Sequence, residues 1–558
     1  MLTRLGPPAA ILLLSGPILA GLAGTMLPAF GYLPALGGEA FSLDPLRQLA
    51  AAPGISGSAL LSLHAGLASA GLSLAVVMLF VAAWAGTSAF SRVQHLISPL
   101  LSVPHAAAAF GFAFLIAPSG LVARLLSPEL TGWQRPPDLL VVNDPMGLSL
   151  IAGLVVKEIP FLLLVTLAAL PQVPLARTRQ LAASLGYGRI AGFLYCLWPL
   201  IYRQIRLPVF AVIAFASSVV DVAIILGPST PPTLAVRLIG WMNDPELSMR
   251  FLASAGALLQ LCVTAVAILA WLVLERLGAA VLRAFCMHGR RLRRDAALRR
   301  LAFGMMLASA LAVFAGLAGL AIWSVAGLWQ FPDALPGTVS LKTWIATAPR
   351  VMEPLATTLA AGLISTVLAL VLTLLCLMRE DETGRRGTRS AALIYLPLIV
   401  PQAAFLFGLH LLFLLGGVGA SLWALVFVHL VFVMPYVFLS LSDPWRAFDR
   451  RYEAIAAGLG KSRIETLWRV RLPMLARPVL TACAVGFAVS VGLYLPTVLI
   501  GAGRLTTITT EAVALASGGN RRVIGVYAFL QMLLPLAGFA VATFVPALLF
   551  RRFRAMRV

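Results

Sequence analysis

Residues whose spacing could support chemistry are few in this chain, and the most noticeable group is Gly460-Lys461-Ser462. These residues end like a P-loop, in which backbone amides cradle phosphates and the lysine contacts them. The motif also requires a glycine at the position of Ile455 and a preceding β-strand, and the sequence supplies neither. No other Gly-Lys-Ser or Gly-Lys-Thr occurs, so the chain is not expected to hydrolyse a nucleotide.

Metal ligands and catalytic nucleophiles are equally sparse. The six histidines occur singly, without the HExxH spacing of a zinc-binding helix, and the five cysteines form no CxxC pair. No serine lies in a GxSxG elbow. The sequence therefore predicts no catalytic residue, no metal site and no cofactor held by this chain.

Composition indicates the class of protein. Apolar residues make up 60% of the 558 residues and charged residues 11%, against roughly 45–50% and about 25% in soluble domains. The mean hydropathy is +0.95. This composition excludes a soluble enzyme, a disordered chain and a coiled coil, and it predicts an all-α polytopic membrane protein.

Apolar runs separated by polar breaks predict about twelve transmembrane helices, each of which needs roughly 20 mostly apolar residues. The first run follows Arg4 and resembles a signal peptide, but it is interpreted as an uncleaved first span. The predicted spans are 9–28, 58–84, 98–120, 146–170, 205–227, 251–275, 301–324, 354–378, 391–413, 419–441, 479–500 and 524–550.

The distribution of cations predicts the orientation of these spans. Lys and Arg number 42 against 21 Asp and Glu, a formal net charge of +21. If the N-terminus is cytoplasmic, 31 cations fall on the cytoplasmic side and ten on the other, with Lys157 inside a span. Basic residues are typical of cytoplasmic loops, so both termini are expected in the cytoplasm. Nucleic-acid binding is not expected, because no basic stretch is interleaved with stacking aromatics.

The chain contains an internal repeat. Ala182-Ala183-Ser184-Leu185-Gly186 is matched later in the chain by Ala456-Ala457-Gly458-Leu459-Gly460. Each glycine is followed at the same spacing by a proline, Pro199 in the first copy and Pro473 in the second. The repeat predicts two halves of six spans that run parallel and share one topology.

A stretch rich in arginine separates the two halves. Residues 286–300 are interpreted as a solvated cytoplasmic linker beside anionic lipid headgroups. The first half is predicted at 1–285 and the second half at 301–558.

Each copy of the repeat predicts a short helical hairpin. An alanine-rich helix leads to Leu-Gly, and glycine takes the backbone angles of a sharp turn after a helix. Proline then starts the next helix near the membrane. Both copies fall on the predicted cytoplasmic side, between the fourth and fifth spans of each half. Two copies at matched spacing favour a surface for a repeated partner over an element that only contacts lipid.

The hairpin sequence resembles the EAA loop of binding-protein-dependent ABC transporter permeases of the type I fold. The usual form is E-A-A, three residues, G, and a later L-P. Residues 450–473 match it with the acid displaced by one position, at Glu453, whereas 177–199 has Gln180 in place of the acid and Trp198-Pro199 for L-P. The fused layout resembles permeases of the iron(III) and thiamine type, in which one chain supplies both membrane halves.

This resemblance implies the permease subunit of an ATP-driven importer in the bacterial inner membrane, which moves a small solute delivered by a periplasmic binding protein to its outer loops. It also implies two copies of a separate ATP-binding subunit, which hold the ATP and Mg²⁺ and drive alternating access. The residues that it assigns to the ATPase-coupling loops are Ala182, Ala183, Leu185, Gly186, Pro199, Glu453, Ala456, Ala457, Leu459, Gly460 and Pro473.

Ionisable residues inside a span are costly and are candidates for function. Asp221 follows a serine-containing stretch of the fifth span, and its counterpart in the second half is Leu495, next to a proline. A structural role stays open for Asp221 and for the adjacent pair Lys157 and Glu158. The predicted translocation path is lined by Asp221, Ser217, Glu158, Tyr494 and Pro496.

A secondary transporter of the major-facilitator type, driven by an ion gradient, is the alternative, because it also has two parallel halves of six spans. Such a protein would carry a loop with basic and acidic residues between its second and third spans. Here that loop holds Arg92 and no acid. The solute stays open, and iron(III), thiamine and other small solutes all fit the sequence.

Overall fold

The computed structural model describes residues 2–384 and 393–549. Within these ranges the chain is built from helices, and its extended pairing amounts to two isolated β-bridges. Among the described residues, ten helices are long and apolar enough to cross a membrane, or eleven if a pair bent by 78° counts as one span. The fold is therefore an all-α bundle of membrane-spanning helices.

The helices of the first half precede residue 288. Shorter helices at Asp44–Ala51, Ser88–Ile97, Leu121–Leu126 and Leu234–Met242 connect the principal ones. The principal helices are α1 Gly6–Ala29, α2 Ile55–Trp84, α3 His105–Ile116, α4 Leu148–Ala169, α5 Leu175–Ser184, α6 Arg189–Cys196, α7 Trp198–Ser218, α8 Asp221–Leu226 and α9 Met249–Met287.

The helices of the second half follow the same order. Its shorter elements are Leu396–Ile399, a π-helical turn at Leu467–Arg471, Leu472–Met474 and Ile508–Ala514. The principal helices are α10 Ala296–Val325, α11 Lys342–Thr383, α12 Gln402–Leu415, α13 Leu422–Arg446, α14 Arg451–Gly458, α15 Arg463–Thr466, α16 Ala476–Gly492, α17 Leu495–Gly501 and α18 Arg521–Leu549. The predicted boundaries of the linker fall inside α9 and α10, and its non-helical part is 288–295.

Ten of the predicted spans correspond to the ten long helices, and the span predicted at 479–500 corresponds to the bent pair that ends with α16. The span predicted at 391–413 differs. Residues 391 and 392 lie outside the described ranges, and the helix starts only at Gln402, after Pro401, so that α12 has 14 residues. The span predicted at 98–120 begins with a 3-10 helix at Ser98–Ser102 and is α-helical only from His105, after Pro104, because a proline disfavours helical backbone in the residue before it.

The fifth span of each half is interrupted at an equivalent place. Helix α7 ends at Ser218 and α16 at Gly492, and the residue that follows each is extended, Val219 with ψ 140° and Leu493 with ψ 107°. The short helices α8 and α17 follow, and they begin at the equivalent residues Asp221 and Leu495. Irregular backbone at membrane depth occurs where it is buried in protein or lines a cavity, so each break is expected in one of these two settings and away from lipid.

The first helix of each half packs on the third spanning helix of the other half. Helix α1 lies along α12, and α10 lies along α3. The backbones touch at glycines: a Cβ on Gly24 would lie 2.6 Å from the carbonyl oxygen of Gly408, and one on Gly316 would lie 2.7 Å from the carbonyl carbon of Gly111. Small residues allow such close approach of membrane helices, so this exchange joins the two halves tightly.

Candidate functional site

Two helical hairpins lie at one end of the molecule, which we call the hairpin end. The first hairpin comprises α5, a turn at 185–188 and α6. The second comprises α14, a turn at 459–462 and α15 with its continuation to Met474. The predicted helix-turn-helix geometry is present in both.

The two turns have the same backbone geometry. Gly186 has φ +75° and Gly460 has φ +74°, a left-handed conformation that glycine adopts without steric cost. In the first turn the amide of Gly186 donates to Ala183 O and that of Tyr187 to Ala182 O. The amides of Gly460 and Lys461 donate to Ala457 O and Ala456 O in the same way. Both α5 and α14 thus end in a Schellman motif.

Equivalent residues of the two hairpins are exposed. Leu181 and Leu185 expose 62% and 55% of their surface, and their counterparts Ile455 and Leu459 expose 61% and 74%. Ala183 and Ala457 are exposed, whereas Ala182 and Ala456 are buried. Exposed large apolar side chains that cluster on a surface are typical of protein interaction sites. The second hairpin adds exposed Tyr452, Ile464 and Trp468.

Arginines anchor the first hairpin to the end of α2. The Arg179 guanidinium donates to the carbonyl oxygens of Ala82, at 3.2 Å, and of Ala85, and Arg189 donates to Ala85 O at 2.9 Å. Cations are favourable at a helix C-terminus because of the helix dipole. Burial, and secondarily Arg189, lowers the pKa of Arg179 to about 10, so Arg179 stays charged at neutral pH.

The second hairpin is anchored to α11 by a different set of charges. Arg471 is buried, and its Nη1 lies 2.8 Å from both Asp381 Oδ2 and Glu453 Oε1. Its guanidinium also stacks on Trp445, 3.7 Å from the ring centroid. Arg450 binds the other carboxylate oxygen of Asp381 at 2.6 Å. Glu453, the displaced acid of the EAA pattern, therefore holds the hairpin together from within.

Sequence reasoning did not single out Arg179, Arg471 or Asp381. Arg179 is the counterpart of Glu453 in the alignment that pairs Gly186 with Gly460, so the two hairpins reach equivalent positions with opposite charges. Aligning the two copies in full would have shown this exchange. The contact between Asp381 and Arg471 spans 90 residues, and no local pattern predicts it.

The linker contacts the first hairpin, although it was expected to be solvated beside lipid headgroups. The amide of Gly188 donates to Arg291 O at 2.8 Å, and Arg293 Nε donates to Gly186 O at 3.2 Å. Asp295 accepts a hydrogen bond from the amide of Ile190 at 3.0 Å. Among the described residues, no atom lies within 4 Å of the Cβ position of Gly460, so no described segment covers the equivalent turn of the second hairpin.

A polar cluster includes residues at the starts of the two short helices, Asp221 of α8 and Tyr494 before α17. His105 Nε2 is 3.2 Å from Glu158 Oε1, and Asp221 interacts electrostatically with both His105 and Tyr494. Tyr436 interacts in the same way with Glu158. The cluster thus joins residues of both halves, including three of the five predicted for the path. His105 was not predicted, because it lies 53 residues from Glu158.

The other intramembrane candidates have different surroundings. Ser217 faces α9, and its hydroxyl lies 3.1 Å from Thr264 Oγ1. Helix α2 is close on another side, because a Cβ on Gly66 would lie 2.8 Å from the Cβ of Ser217. Pro496 is buried at the start of α17. Lys157 donates to Leu100 O at 3.1 Å and Leu101 O at 3.3 Å, so it satisfies carbonyls at the break before α3.

Comparison with known proteins identifies the class. The family model described as "binding-protein-dependent transport system inner membrane component" matches residues 384–555. The chain belongs to this family of ABC transporter permeases, because it is 32% identical, over 86% of both chains, to the inner membrane ABC transporter permease protein YnjC of Escherichia coli K12.

Shorter similarities connect the chain to other permeases. It is 25% identical over 119 residues to the spermidine/putrescine transport system permease protein PotC of Haemophilus influenzae, covering 21% of this chain and 46% of that one. It is 29% identical over 163 residues to the molybdenum transport system permease protein ModB of Mycobacterium tuberculosis, covering 26% of this chain and 61% of that one.

Family membership settles several predictions. The chain is a multi-pass inner-membrane permease of an ABC importer with the type I fold, and it is not an enzyme, because ATP is hydrolysed by a separate subunit. The major-facilitator alternative is not favoured. The P-loop-like triplet forms the turn of the second hairpin, where the Ser462 side chain caps α15 by accepting from the amide of Glu465.

Proposed function

We propose that this chain supplies both membrane halves of one importer and that each hairpin docks into one of two copies of the ATP-binding subunit. The observation that carries the proposal is the matched pair of turns, which share positive-φ glycines, hydrogen bonds and two exposed apolar positions. Two equivalent surfaces on one chain fit two copies of one partner. The ATP and Mg²⁺ belong to that partner.

The hairpin end is the cytoplasmic end in this proposal. Thr3 lies there as well, because its hydroxyl is 3.1 Å from Glu382 beside the anchor of the second hairpin. The N-terminus is therefore assigned to the cytoplasm. The C-terminal segment 550–558 lies outside the described residues, and its cytoplasmic location rests on its arginines alone.

The opposite end is proposed to receive a periplasmic solute-binding protein. There Arg124 crosses between the halves, donating to Gln330 O at 2.7 Å and stacking on Trp329. The solute then passes between the interrupted helices, lined by Asp221, Glu158, Tyr494 and His105. The names of these two relatives give different solutes, so similarity does not assign one of them to this chain. We propose only that its solute is small and is delivered by a binding protein.

Photo-cross-linking tests the docking proposal. A photoreactive residue is placed at Leu185 or at Leu459, the matched exposed positions of the two turns, in membranes that contain the native ATPase. Each position should cross-link to the ATP-binding subunit, with two copies bound per permease chain. The control is Leu130, which exposes 79% of its surface in the loop between α3 and α4. Cross-linking at only one hairpin would contradict the two-site proposal.

A further inference from the structure

The two hairpins carry different charges in their own turns. The second hairpin has Lys461 and Arg463 within three residues after Gly460, and both are exposed, although Lys461 also pairs with Glu465 at 2.9 Å. Their counterparts in the first hairpin are Tyr187 and Arg189. Arg189 is directed inward, onto the carbonyl oxygen of Ala85. Alone, the first turn would therefore lack the exposed cations of the second.

The linker brings cations to that place. Arg293 Nη2 lies 2.9 Å from the position of a Cβ on Gly186, and its Nε is bonded to the carbonyl oxygen of the same glycine. The guanidinium of Arg291 lies 6.0 Å from the ring centroid of Tyr187. Both arginine residues are exposed. Two guanidinium groups thus lie over Gly186 and Tyr187, the counterparts of Gly460 and Lys461.

Hydrogen bonds on either side fix the linker in this position. The amide of Gly188 donates to Arg291 O, and the Asp295 carboxylate accepts from the amide of Ile190. Tyr195 of α6 donates to Arg290 O at 3.1 Å. Three hydrogen bonds that each involve a backbone atom therefore join the linker to the first hairpin. A loop that only crosses the surface would not make them.

We infer that the linker is part of the first docking surface, where Arg291 and Arg293 replace the cations that the second hairpin carries as Lys461 and Arg463. The inference rests on the proposed docking of one ATP-binding subunit at each hairpin. Its partner is an acidic surface of that subunit. Two identical subunits present identical surfaces, so the linker restores to the first hairpin the charge that its own sequence lacks.

The experiment measures cross-linking to the co-purifying ATP-binding subunit from Leu185 and from Leu459 separately, in lipid nanodiscs at low salt. Because opposite charges meet at these exposed surfaces, reversing two of them should weaken docking by about tenfold. Arg291→Glu with Arg293→Glu should reduce the Leu185 product and spare the Leu459 product. Lys461→Glu with Arg463→Glu should do the reverse. Both effects should shrink in roughly 1 M salt.

Two controls separate charge from structure. Arg291→Lys with Arg293→Lys keeps the charge and should dock like the natural chain. Arg300→Glu reverses an exposed cation on α10, outside the contacts with the hairpin, and should leave both products unchanged.

The outcomes are distinguishable. Loss of both products in the natural chain would overturn the docking proposal itself. If the natural chain docks but the double Glu variant behaves like Arg300→Glu, the linker has no part in docking. If its effect vanishes in nanodiscs made of neutral lipid, the linker arginines contact anionic headgroups and the inference is wrong.

Discussion

Arg471 is the residue that fixes the position of the second hairpin against α11. Its guanidinium is bonded to Asp381 on α11 and to Glu453 within the hairpin, and it covers the Trp445 ring. Removing one partner from a buried ion pair leaves the others without compensation. The two carboxylates are partly exposed, at 21% and 33% of their side-chain surface, so water offsets part of the loss.

We therefore expect Arg471→Met to destabilise the second hairpin by about 2 kcal/mol. Hydrogen exchange of the α14 amides should become faster, because the hairpin keeps only the Arg450–Asp381 ion pair of its two connections to Asp381 of α11. The matched control is Arg469→Met, since Arg469 is largely exposed and pairs with Glu465, its neighbour on the same hairpin. Equal exchange rates in the two variants would show that Arg471 does not hold the hairpin.

Asp221 is a buried acidic residue that we propose lines the path. Replacing it by Asn removes the carboxylate but keeps the shape, so we expect uptake of the solute carried by the binding protein to fall by about tenfold, as for one lost polar contact with the solute. Binding of the ATPase should not change. The control is Asp138→Asn, in an exposed loop. Normal uptake by Asp221→Asn would assign this carboxylate a structural role.

The hairpin turns are the elements on which coupling depends. An L-residue with a side chain pays about 1–2 kcal/mol in the left-handed conformation. Gly460→Ala introduces this strain without a clash with the described part of the chain, where no atom lies within 4 Å of the new Cβ. We expect faster exchange of the Gly460 and Lys461 amides, which close the Schellman motif.

Gly458→Ala is the matched control for this turn. Gly458 lies just before the turn, at the end of α14, with equally open surroundings, and alanine is a better helix former than glycine by about 1 kcal/mol. This variant should protect the same amides or leave them unchanged. Equal effects of the two substitutions would show that the left-handed turn is not required.

These elements also show what sequence could predict. The spacing from Gly186 to Pro199 and from Gly460 to Pro473 indicated both hairpins, because a left-handed glycine and a helix-starting proline leave local signatures. In the second half a helix broken by Pro496 was predicted, and the structure places the break three residues earlier, at Leu493. The break after Ser218 was not predicted, since the first half has no proline at the equivalent place. The linker contact with Gly188 was not predicted either, because it joins distant segments of the chain by backbone atoms, which carry no sequence signal.

Exchange of first helices is the feature that joins the whole molecule. The sequence indicated two equivalent halves, but it did not show that α1 lies on the second half and α10 on the first. That arrangement depends on backbone contact between distant glycines. A relative motion of the halves must therefore carry each first helix with the opposite half, which couples the two hairpins mechanically.

Gly316→Ala tests this connection. Its Cβ would lie 2.7 Å from the Gly111 carbonyl carbon, so α10 must move away from α3, and we expect a loss of about 1–3 kcal/mol in stability. Gly319→Ala, one turn further along α10, meets no atom of the described residues within 4 Å and should be neutral or stabilising. Thermal unfolding in detergent compares them. Equal melting temperatures would contradict close packing of the exchanged helix.

In the proposed mechanism, ATP drives transport through the two hairpins. The most direct measurement is solute uptake into proteoliposomes that contain the chain, its ATPase and its binding protein, for the natural chain and for Gly186→Val with Gly460→Val. Uptake should require ATP and should be lost in this variant, while Ser184→Ala with Gly458→Ala retains it. Uptake that follows an ion gradient without ATP, or that survives the valine substitutions, would show that the hairpins do not couple ATP to transport.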